Sequence, residues 1–163
     1  MMICYGFVSN KNQIKRFIVL IFIGDKAITN HHYNSYYDSL DTSIQKKIKV
    51  LNKVNFDELL LLIRGANLSI YPSIAEGFGI PPLESVAAQV PTICSNTTAM
   101  SDFEFMGDCL FNPLDISDIK DKIHKGLNAN KVAEKKYFVQ HNYNWAIAAA
   151  QFKKAIISFE NLQ

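Results

Sequence analysis

The sequence predicts an α/β fold, a parallel β-sheet with helices on both faces. Short apolar runs alternate with longer segments of helical period along the 163 residues. Strands separated by helices favour parallel pairing, and right-handed crossovers then place the carboxyl end of every strand at one edge of the sheet. A chain of this length holds one domain with its own core, and we find no linker or internal repeat that would divide residues 1–163.

The predicted strands are short and rich in β-branched and aromatic residues. The most apolar run, FIVLIFIG at residues 17–24, predicts a central strand that ends at Gly24. It is far shorter than the ~20 residues of a membrane-spanning helix. It also lies behind Lys11, Lys15 and Arg16, too far from the start for a signal peptide. The remaining predicted strands are residues 48–52, 68–71, 91–95 and 109–111.

Two of the predicted helices begin at an acidic residue or a proline, as helices commonly do. Asp57 opens the segment DELLLLIRGA, and Gly65 closes it. Pro81 and Pro82 fit the first turn of the next helix, where a missing N–H group costs nothing. The predicted helices are residues 57–66, 81–89, 116–127, 132–141 and 145–159, and the polar, aromatic segment 30–43 has room for another.

Charge and cysteine content exclude several classes of protein. The formal net charge is +2, well below the basic balance of a nucleic-acid-binding domain, so we expect no nucleic-acid partner. This charge leaves open a weak attraction to an anionic membrane surface. Cys4, Cys94 and Cys109 are odd in number and widely spaced, which does not suit a disulfide framework. We therefore expect a reducing, cytoplasmic location, with Cys94 and Cys109 buried in the core.

The segment SIYPSIAEGFGIPPLESVA at residues 69–87 predicts an anion-binding turn at the start of a helix. Because prolines follow, the free backbone donors there belong to Gly77, Phe78, Gly79 and Ile80. Glycine lets the backbone approach a ligand closely, and the helix macrodipole favours a phosphate oxygen at this end. The third glycine of a dinucleotide-binding fingerprint is absent, which argues against that motif.

Two carboxylates flank this turn, Glu76 before it and Glu84 in the helix. An ionised carboxylate accepts hydrogen bonds from hydroxyl groups, such as those of a ribose or a hexose. A nucleotide sugar, with a sugar on each side of a diphosphate, would satisfy both carboxylates and the amides together. The plainer interpretation is that both glutamates only favour a helix amino terminus.

Residues 61–99 resemble the donor-binding core of glycosyltransferase family 4, the group 1 glycosyltransferases. In that family two glutamates are separated by seven residues, which is the spacing of Glu76 and Glu84. The resemblance continues through GDCLFNPLD at residues 107–115 to Asn144 and Trp145, so that it covers most of the chain.

The resemblance implies the GT-B architecture, in which two Rossmann-like domains face each other across a cleft. Residues 1–163 would form the C-terminal, nucleotide-sugar-binding domain, without the N-terminal acceptor domain. By motif position, Glu76 would bind hydroxyls of the transferred sugar and act as the catalytic residue, and Glu84 would bind the ribose. The amides of residues 77–80 would meet the sugar and the diphosphate, and Lys53 and Val54 would contact the base.

The implied reaction is transfer of a hexose from a nucleotide sugar, with retention of configuration, to a glycan or a lipid-linked acceptor in polysaccharide biosynthesis. It needs no metal and no cofactor. The implied partners are the nucleotide sugar and an N-terminal domain or partner chain, while a homo-oligomer and peripheral membrane association stay open. Trp145 would anchor the last helix, whose apolar face could drive association.

The sequence departs from the family pattern near its start. The family carries a basic pair there that stabilises the leaving diphosphate. One alignment matches Lys11 and Asn12 to that region; the other, which we favour, places residues 10–15 just before the second strand and leaves the basic pair outside the chain. On this alignment the isolated chain binds donor but transfers little or nothing. The alternative function is a non-catalytic nucleotide-binding or partner-subunit module.

Two other groups of residues have weaker claims to a function. His31 and His32 have no further ligand at metal-binding spacing, so we expect no metal site and a solvated pair. Tyr33, Tyr36 and Tyr37 could offer a surface for a sugar, but packing over the sheet is the simpler prediction.

Overall fold

Helices pack on both faces of a β-sheet in the computed structural model, which describes residues 3–5, 19–24, 31–129 and 133–160. The strands are β1 (Ile3–Tyr5), β2 (Leu20–Ile23), β3 (Ile48–Leu51), β4 (Ser69–Tyr71), β5 (Thr92–Ser95) and β6 (Leu110–Phe111). The helices are α1 (His31–Ser39), α2 (Thr42–Gln45), α3 (Phe56–Gly65), α4 (Ile80–Ala87), α5 (Ile116–Leu127), α6 (Ala133–Asn142) and α7 (Trp145–Glu160). Two short 3-10 helices, Thr98–Asp102 and Glu104–Cys109, connect β5 to β6.

The described strands form one sheet in the order β3-β2-β1-β4-β5-β6. β2 pairs in parallel with β3, and β5 pairs in parallel with both β4 and β6. β1 lies between β2 and β4 and runs antiparallel to both, so all five predicted strands point in one direction. Their carboxyl ends therefore meet at one edge, as predicted. The α/β fold class is confirmed, whereas β1 was not predicted and is the strand that departs from parallel pairing.

The core is divided by the sheet into two apolar clusters. Along β5, Ile93 contributes to one cluster and Cys94 to the other, since successive side chains of a strand point to opposite faces. On one face α3, α4 and α6 bury Ile63, Val86 and Val139; on the other, α5 covers Ile93. Helices on both faces follow directly from this arrangement.

Several predictions fall wholly or partly outside the described residues. Lys11 and Asn12, which one of the two alignments matches to the family's basic region, lie there, as do the part of the predicted strand before Val19 and the first residue of the predicted helix 132–141. The helix α1 carries His31 and His32, but their side chains are not described.

The aromatic residues of α1 divide between the sheet and solvent. The ring centroid of Tyr33 lies 6.0 Å from that of Phe22 on β2, and Tyr37 stacks on Tyr33 at 6.0 Å. Burial, and then the nearby Tyr37, raises the pKa of Tyr33. Packing over the sheet is thus confirmed for Tyr33, and Tyr37 packs on Tyr33. It is wrong for Tyr36, which is 68% exposed because it lies on the outer face of the helix.

Helix α7 presents an apolar surface to solvent. Trp145 is 91% exposed and Phe152 is 70% exposed. The prediction that Trp145 anchors this helix is wrong, because the described contacts leave its indole outside the core. No helix of the described residues is long and apolar enough to cross a membrane.

The carboxyl end of α4 is closed by a Schellman motif, which normally uses glycine. The N–H of Gln89 donates to the carbonyl of Val86 at 3.0 Å, and that of Val90 donates to Ser85 at 3.0 Å. Gln89 adopts a φ of +65°, a left-handed conformation in which a Cβ is unfavourable.

We expect Gln89→Gly to stabilise the protein by about 1 kcal/mol, because it removes the left-handed strain and keeps both hydrogen bonds. Urea unfolding measures the change. Gln89→Ala, which keeps a Cβ, is the control and should give no comparable gain; an equal gain would show that loss of the long side chain, not relief of strain, is responsible.

Candidate functional site

The predicted anion-binding turn lies where β4 and β5 end side by side. Residues 72–79 follow β4, and residues 96–98 follow its parallel neighbour β5. Ligands of parallel α/β sheets bind outside the carboxyl ends of the strands. The turn therefore occupies the edge of the sheet at which a ligand is expected.

The carboxylate of Glu76 is held by two hydroxyl groups. Tyr71 Oη donates to Glu76 Oε1 at 3.1 Å, and Ser73 Oγ donates to the same oxygen at 2.9 Å. Tyr71 is fully buried at the end of β4, which makes it a rigid support. Because a carboxylate can accept more than two hydrogen bonds, Glu76 keeps capacity for a ligand hydroxyl.

Two threonines after β5 fix the backbone of the same segment. Thr97 Oγ1 lies 3.0 Å from the carbonyl oxygen of Ile74 and 3.3 Å from that of Ser73 and donates to them. The backbone N–H of Glu76 donates to Thr98 Oγ1 at 2.9 Å. Both the backbone and the carboxylate of Glu76 are thus held in place.

The amino end of α4 offers backbone donors without a side-chain cap. Its N-cap residue is Gly79, and prolines occupy the next positions after Ile80. No described residue accepts a hydrogen bond from the N–H groups of residues 77–80. These donors and the helix macrodipole suit an anionic group.

Gly79 and Gly77 have different surroundings in this turn. Gly79 has a φ of +92°, and a Cβ there would lie 2.7 Å from Met100 Cγ and 3.2 Å from Phe103 Cε2. A Cβ at Gly77 would meet nothing within 4 Å. Between them, Phe78 makes edge-to-face contacts with Phe103 and Tyr143 at centroid distances of 6.2 and 6.0 Å. The turn is therefore packed on one side and open on the other.

Glu84 lies on the side of α4 that faces α3. It lines a groove of about 270 Å³ together with Phe56, Leu60 and Arg64 of α3. The exposed carboxylate of Glu84 can accept hydrogen bonds from hydroxyl groups, and the exposed ring of Phe56 gives the groove an apolar surface. Such a combination suits a nucleoside.

Lys53 and Val54 lie in the loop between β3 and α3, which opens at the same edge of the sheet. Lys53 is exposed and has a φ of +52°. Val54 is half-buried and packs against the core cluster of α3 and α4. The loop then enters α3 through a capping box between Asn55 and Glu58.

A larger cavity, of about 640 Å³, lies at the opposite edge of the sheet. It is bounded by the residues before β5, including Val90 and Pro91, and by α5 and α6. Its lining is mainly apolar, and none of the residues of the Gly77–Gly79 turn borders it. Because convergent polar groups, rather than volume, mark a binding site, the candidate site is the turn at the carboxyl edge.

Two further features bear on the chemistry. Among the described residues, no group of three or more His, Cys, Asp or Glu side chains is placed to hold a metal ion. Cys94 is fully buried in β5, and burial, with a smaller effect from Cys109, raises the pKa of its thiol to about 12. Its burial in the core is as predicted, and the thiol is protonated at neutral pH. The same prediction is only partly correct for Cys109, which is half-buried.

Sequence reasoning missed the groups that hold Glu76: Tyr71, Ser73, Thr97 and Thr98. A signal was available, because consecutive threonines follow the strand that pairs with β4. Loops at the carboxyl ends of neighbouring parallel strands meet, so polar side chains there are expected to interact.

The chain matches the family described as Glycosyl transferases group 1 over residues 7–145. It is also similar to curated mannosyltransferases. It is 32% identical over 111 residues to the O-antigen chain mannosyltransferase RfbU of Salmonella typhimurium, which covers 68% of this chain and 31% of that protein. It is 38% identical over 71 residues to the serotype-specific mannosyltransferase WbdA of Escherichia coli, covering 44% of this chain and 9% of that protein.

Solved structures share the fold at low sequence identity. Sucrose-phosphate synthase from Thermosynechococcus elongatus superimposes with a TM-score of 0.70 and 18% identity, over 93% of this chain and 40% of that chain. TarM gives a TM-score of 0.64 and 16% identity, over 82% of this chain and 28% of that chain. The chain thus spans less than half the length of these relatives and has the fold of a GT-B glycosyltransferase domain. The resemblance seen in the sequence is confirmed: this chain belongs to the group 1 family of glycosyl transferases.

Proposed function

We propose that this chain is the donor-binding domain of a retaining, metal-independent glycosyltransferase that moves a hexose from a nucleotide sugar to a glycan or lipid-linked acceptor. The observation that carries the proposal is the fixed carboxylate of Glu76, held by Tyr71 and Ser73, beside the uncapped start of α4. The same turn thereby offers a carboxylate that accepts hydrogen bonds from hydroxyl groups and backbone N–H groups that donate to an anion.

The roles of the residues follow from the chemistry of donor cleavage. As the bond between the sugar and the diphosphate breaks, negative charge grows on the leaving diphosphate. The N–H groups of residues 77–80 and the dipole of α4 stabilise that charge in place of a metal ion. Glu76 accepts hydrogen bonds from the sugar, while Glu84 accepts them from the ribose in the groove beside Phe56.

Mannose is the hexose that we propose. RfbU is named an O-antigen chain mannosyltransferase, and WbdA a serotype-specific mannosyltransferase. We extend that sugar and that setting, polysaccharide biosynthesis at the cytoplasmic side of a membrane, to this chain. GDP-mannose is then the first donor to test.

Transfer requires an acceptor-binding domain in addition to this one. The matched 111 residues cover 31% of RfbU, so an N-terminal domain or a partner chain would supply the acceptor site. The exposed apolar residues of α7, Trp145 and Phe152, suit contact with such a domain or with a second copy. Alone, the chain should bind donor and transfer little sugar.

Calorimetric titration of the purified chain tests this proposal. We expect binding of GDP and GDP-mannose, and weaker or no binding of UDP and ADP. Addition of EDTA should leave the affinities unchanged if no metal takes part. Failure of a demonstrably folded chain to bind any nucleotide would contradict the proposal and favour a non-catalytic partner subunit.

Glu84→Ala is expected to weaken GDP and GDP-mannose equally, by roughly 10- to 100-fold, because hydrogen bonds to a charged acceptor are lost from the shared ribose. Glu134→Ala removes an equivalent negative charge from the first turn of α6 and serves as the control. If Glu84→Ala and the unmodified chain bind GDP with equal affinity, Glu84 does not contact the nucleotide.

A further inference from the structure

Thr98 has a backbone conformation that its side chain disfavours. Its φ is +50°, in the left-handed region that suits glycine or asparagine and is rare for a β-branched residue. Strained conformations of this kind persist where surrounding contacts impose them, and they are common at ligand clamps. The contacts of Thr98 therefore indicate what the strain maintains.

The left-handed conformation of Thr98 lets the hydroxyls of Thr97 and Thr98 both contact residues 74–76 of the turn. Thr97 is extended, with a φ of −113° and a ψ of 153°, and successive side chains of extended backbone point in opposite directions. The left-handed backbone at Thr98 changes this direction. Thr97 Oγ1 can then donate to the carbonyl of Ile74 while Thr98 Oγ1 accepts from the N–H of Glu76.

The loop that Thr98 begins also holds the far end of the turn. Ser101 Oγ donates to the carbonyl of Thr98 at 2.6 Å, closing the first 3-10 helix. That helix carries Met100, which is fully buried against Gly79. The loop after β5 thus contacts the turn at both Glu76 and Gly79.

We propose that Thr98 is a positioning residue, whose hydroxyl sets the place of Glu76 relative to the transferred sugar. The inference rests on the proposed function, since it assigns Glu76 to the sugar and not to the nucleotide. It differs from a general structural role because it predicts a selective loss: binding of the sugar-bearing donor falls more than binding of the nucleoside diphosphate.

Thr98→Val tests the proposal, because it keeps the branched Cβ and replaces the hydroxyl with a methyl group. We expect the ratio of the dissociation constants of GDP-mannose and GDP to rise by about three- to tenfold, the effect of one lost hydrogen bond. Thr98→Ser, which keeps the hydroxyl, should have the same ratio as the unmodified chain. Hydrogen exchange at the Glu76 amide should accelerate in Thr98→Val and return towards normal in Thr98→Ser.

Thr92→Val is the matched control, since Thr92 Oγ1 bonds the carbonyl of Val90 at the other end of β5. It should leave the ratio unchanged. If Thr98→Val does not fold, Thr98→Gly removes the hydroxyl without backbone strain and carries the same expectation.

An unchanged ratio, or an equal loss for GDP and GDP-mannose, would overturn the role of Thr98 while leaving the proposed function intact. An unmodified chain that binds neither ligand would instead refute the proposed function and, with it, this inference.

Discussion

Replacing Gly79 with alanine is expected to destabilise the fold by about 2–4 kcal/mol, combining an overpacked core with a disfavoured backbone conformation. The new Cβ would lie 2.7 Å from Met100 Cγ, closer than side chains tolerate. Met100 is fully buried, so it has little room to move away. Urea unfolding without ligand measures the loss.

Gly77→Ala is the matched control within the same turn. A Cβ at Gly77 meets no atom within 4 Å, so stability should change by no more than about 0.5 kcal/mol. The new methyl group faces the open side of the turn, however, where we propose that the donor binds. Gly77→Ala should therefore weaken GDP-mannose binding while the protein stays fully folded.

The two variants separate the two uses of glycine in this motif. Gly79 serves packing against Met100 and Phe103, and Gly77 serves access for a ligand. Equal stability of Gly79→Ala and the unmodified chain would show that the 3-10 helix of Met100 yields easily. Unchanged donor binding by Gly77→Ala would mean that the ligand does not approach the backbone there.

Local patterns were sufficient to predict most of the fold. The run of apolar residues through Ile23, the prolines at the start of α4 and the acidic start of α3 each mark an element within a few neighbouring residues. The shared carboxyl edge followed from the crossover rule. Those signals do not depend on distant parts of the chain.

Features that depend on distant contacts could not be predicted in the same way. The short strand β1 owes its place to pairing with β2 and β4, and three residues carry too little pattern to indicate that. The exposure of Trp145 depends on what packs against α7. Likewise, Thr98 and Glu76 are 22 residues apart, and their contact exists because β4 and β5 are neighbours.

Glu76→Gln should weaken GDP-mannose binding by roughly 10- to 100-fold and leave GDP binding nearly unchanged, because it removes a charged acceptor from the proposed sugar site. The amide oxygen of glutamine can still accept from Tyr71 and Ser73, so the fold should tolerate the change. The remaining NH₂ group would then face the sugar hydroxyls as a donor, which a carboxylate never is.

The selectivity of this loss is the decisive feature. Glu104→Gln, which makes the same change in net charge at an exposed position in the second 3-10 helix, should alter neither affinity. If Glu76→Gln weakens GDP as strongly as GDP-mannose, Glu76 contacts the nucleotide and the roles of the two glutamates must be reassigned. Only the sugar distinguishes GDP-mannose from GDP. A loss of GDP-mannose binding alone in Glu76→Gln would therefore place the sugar at Glu76. An equal loss of both ligands in Glu84→Ala would place the ribose at Glu84.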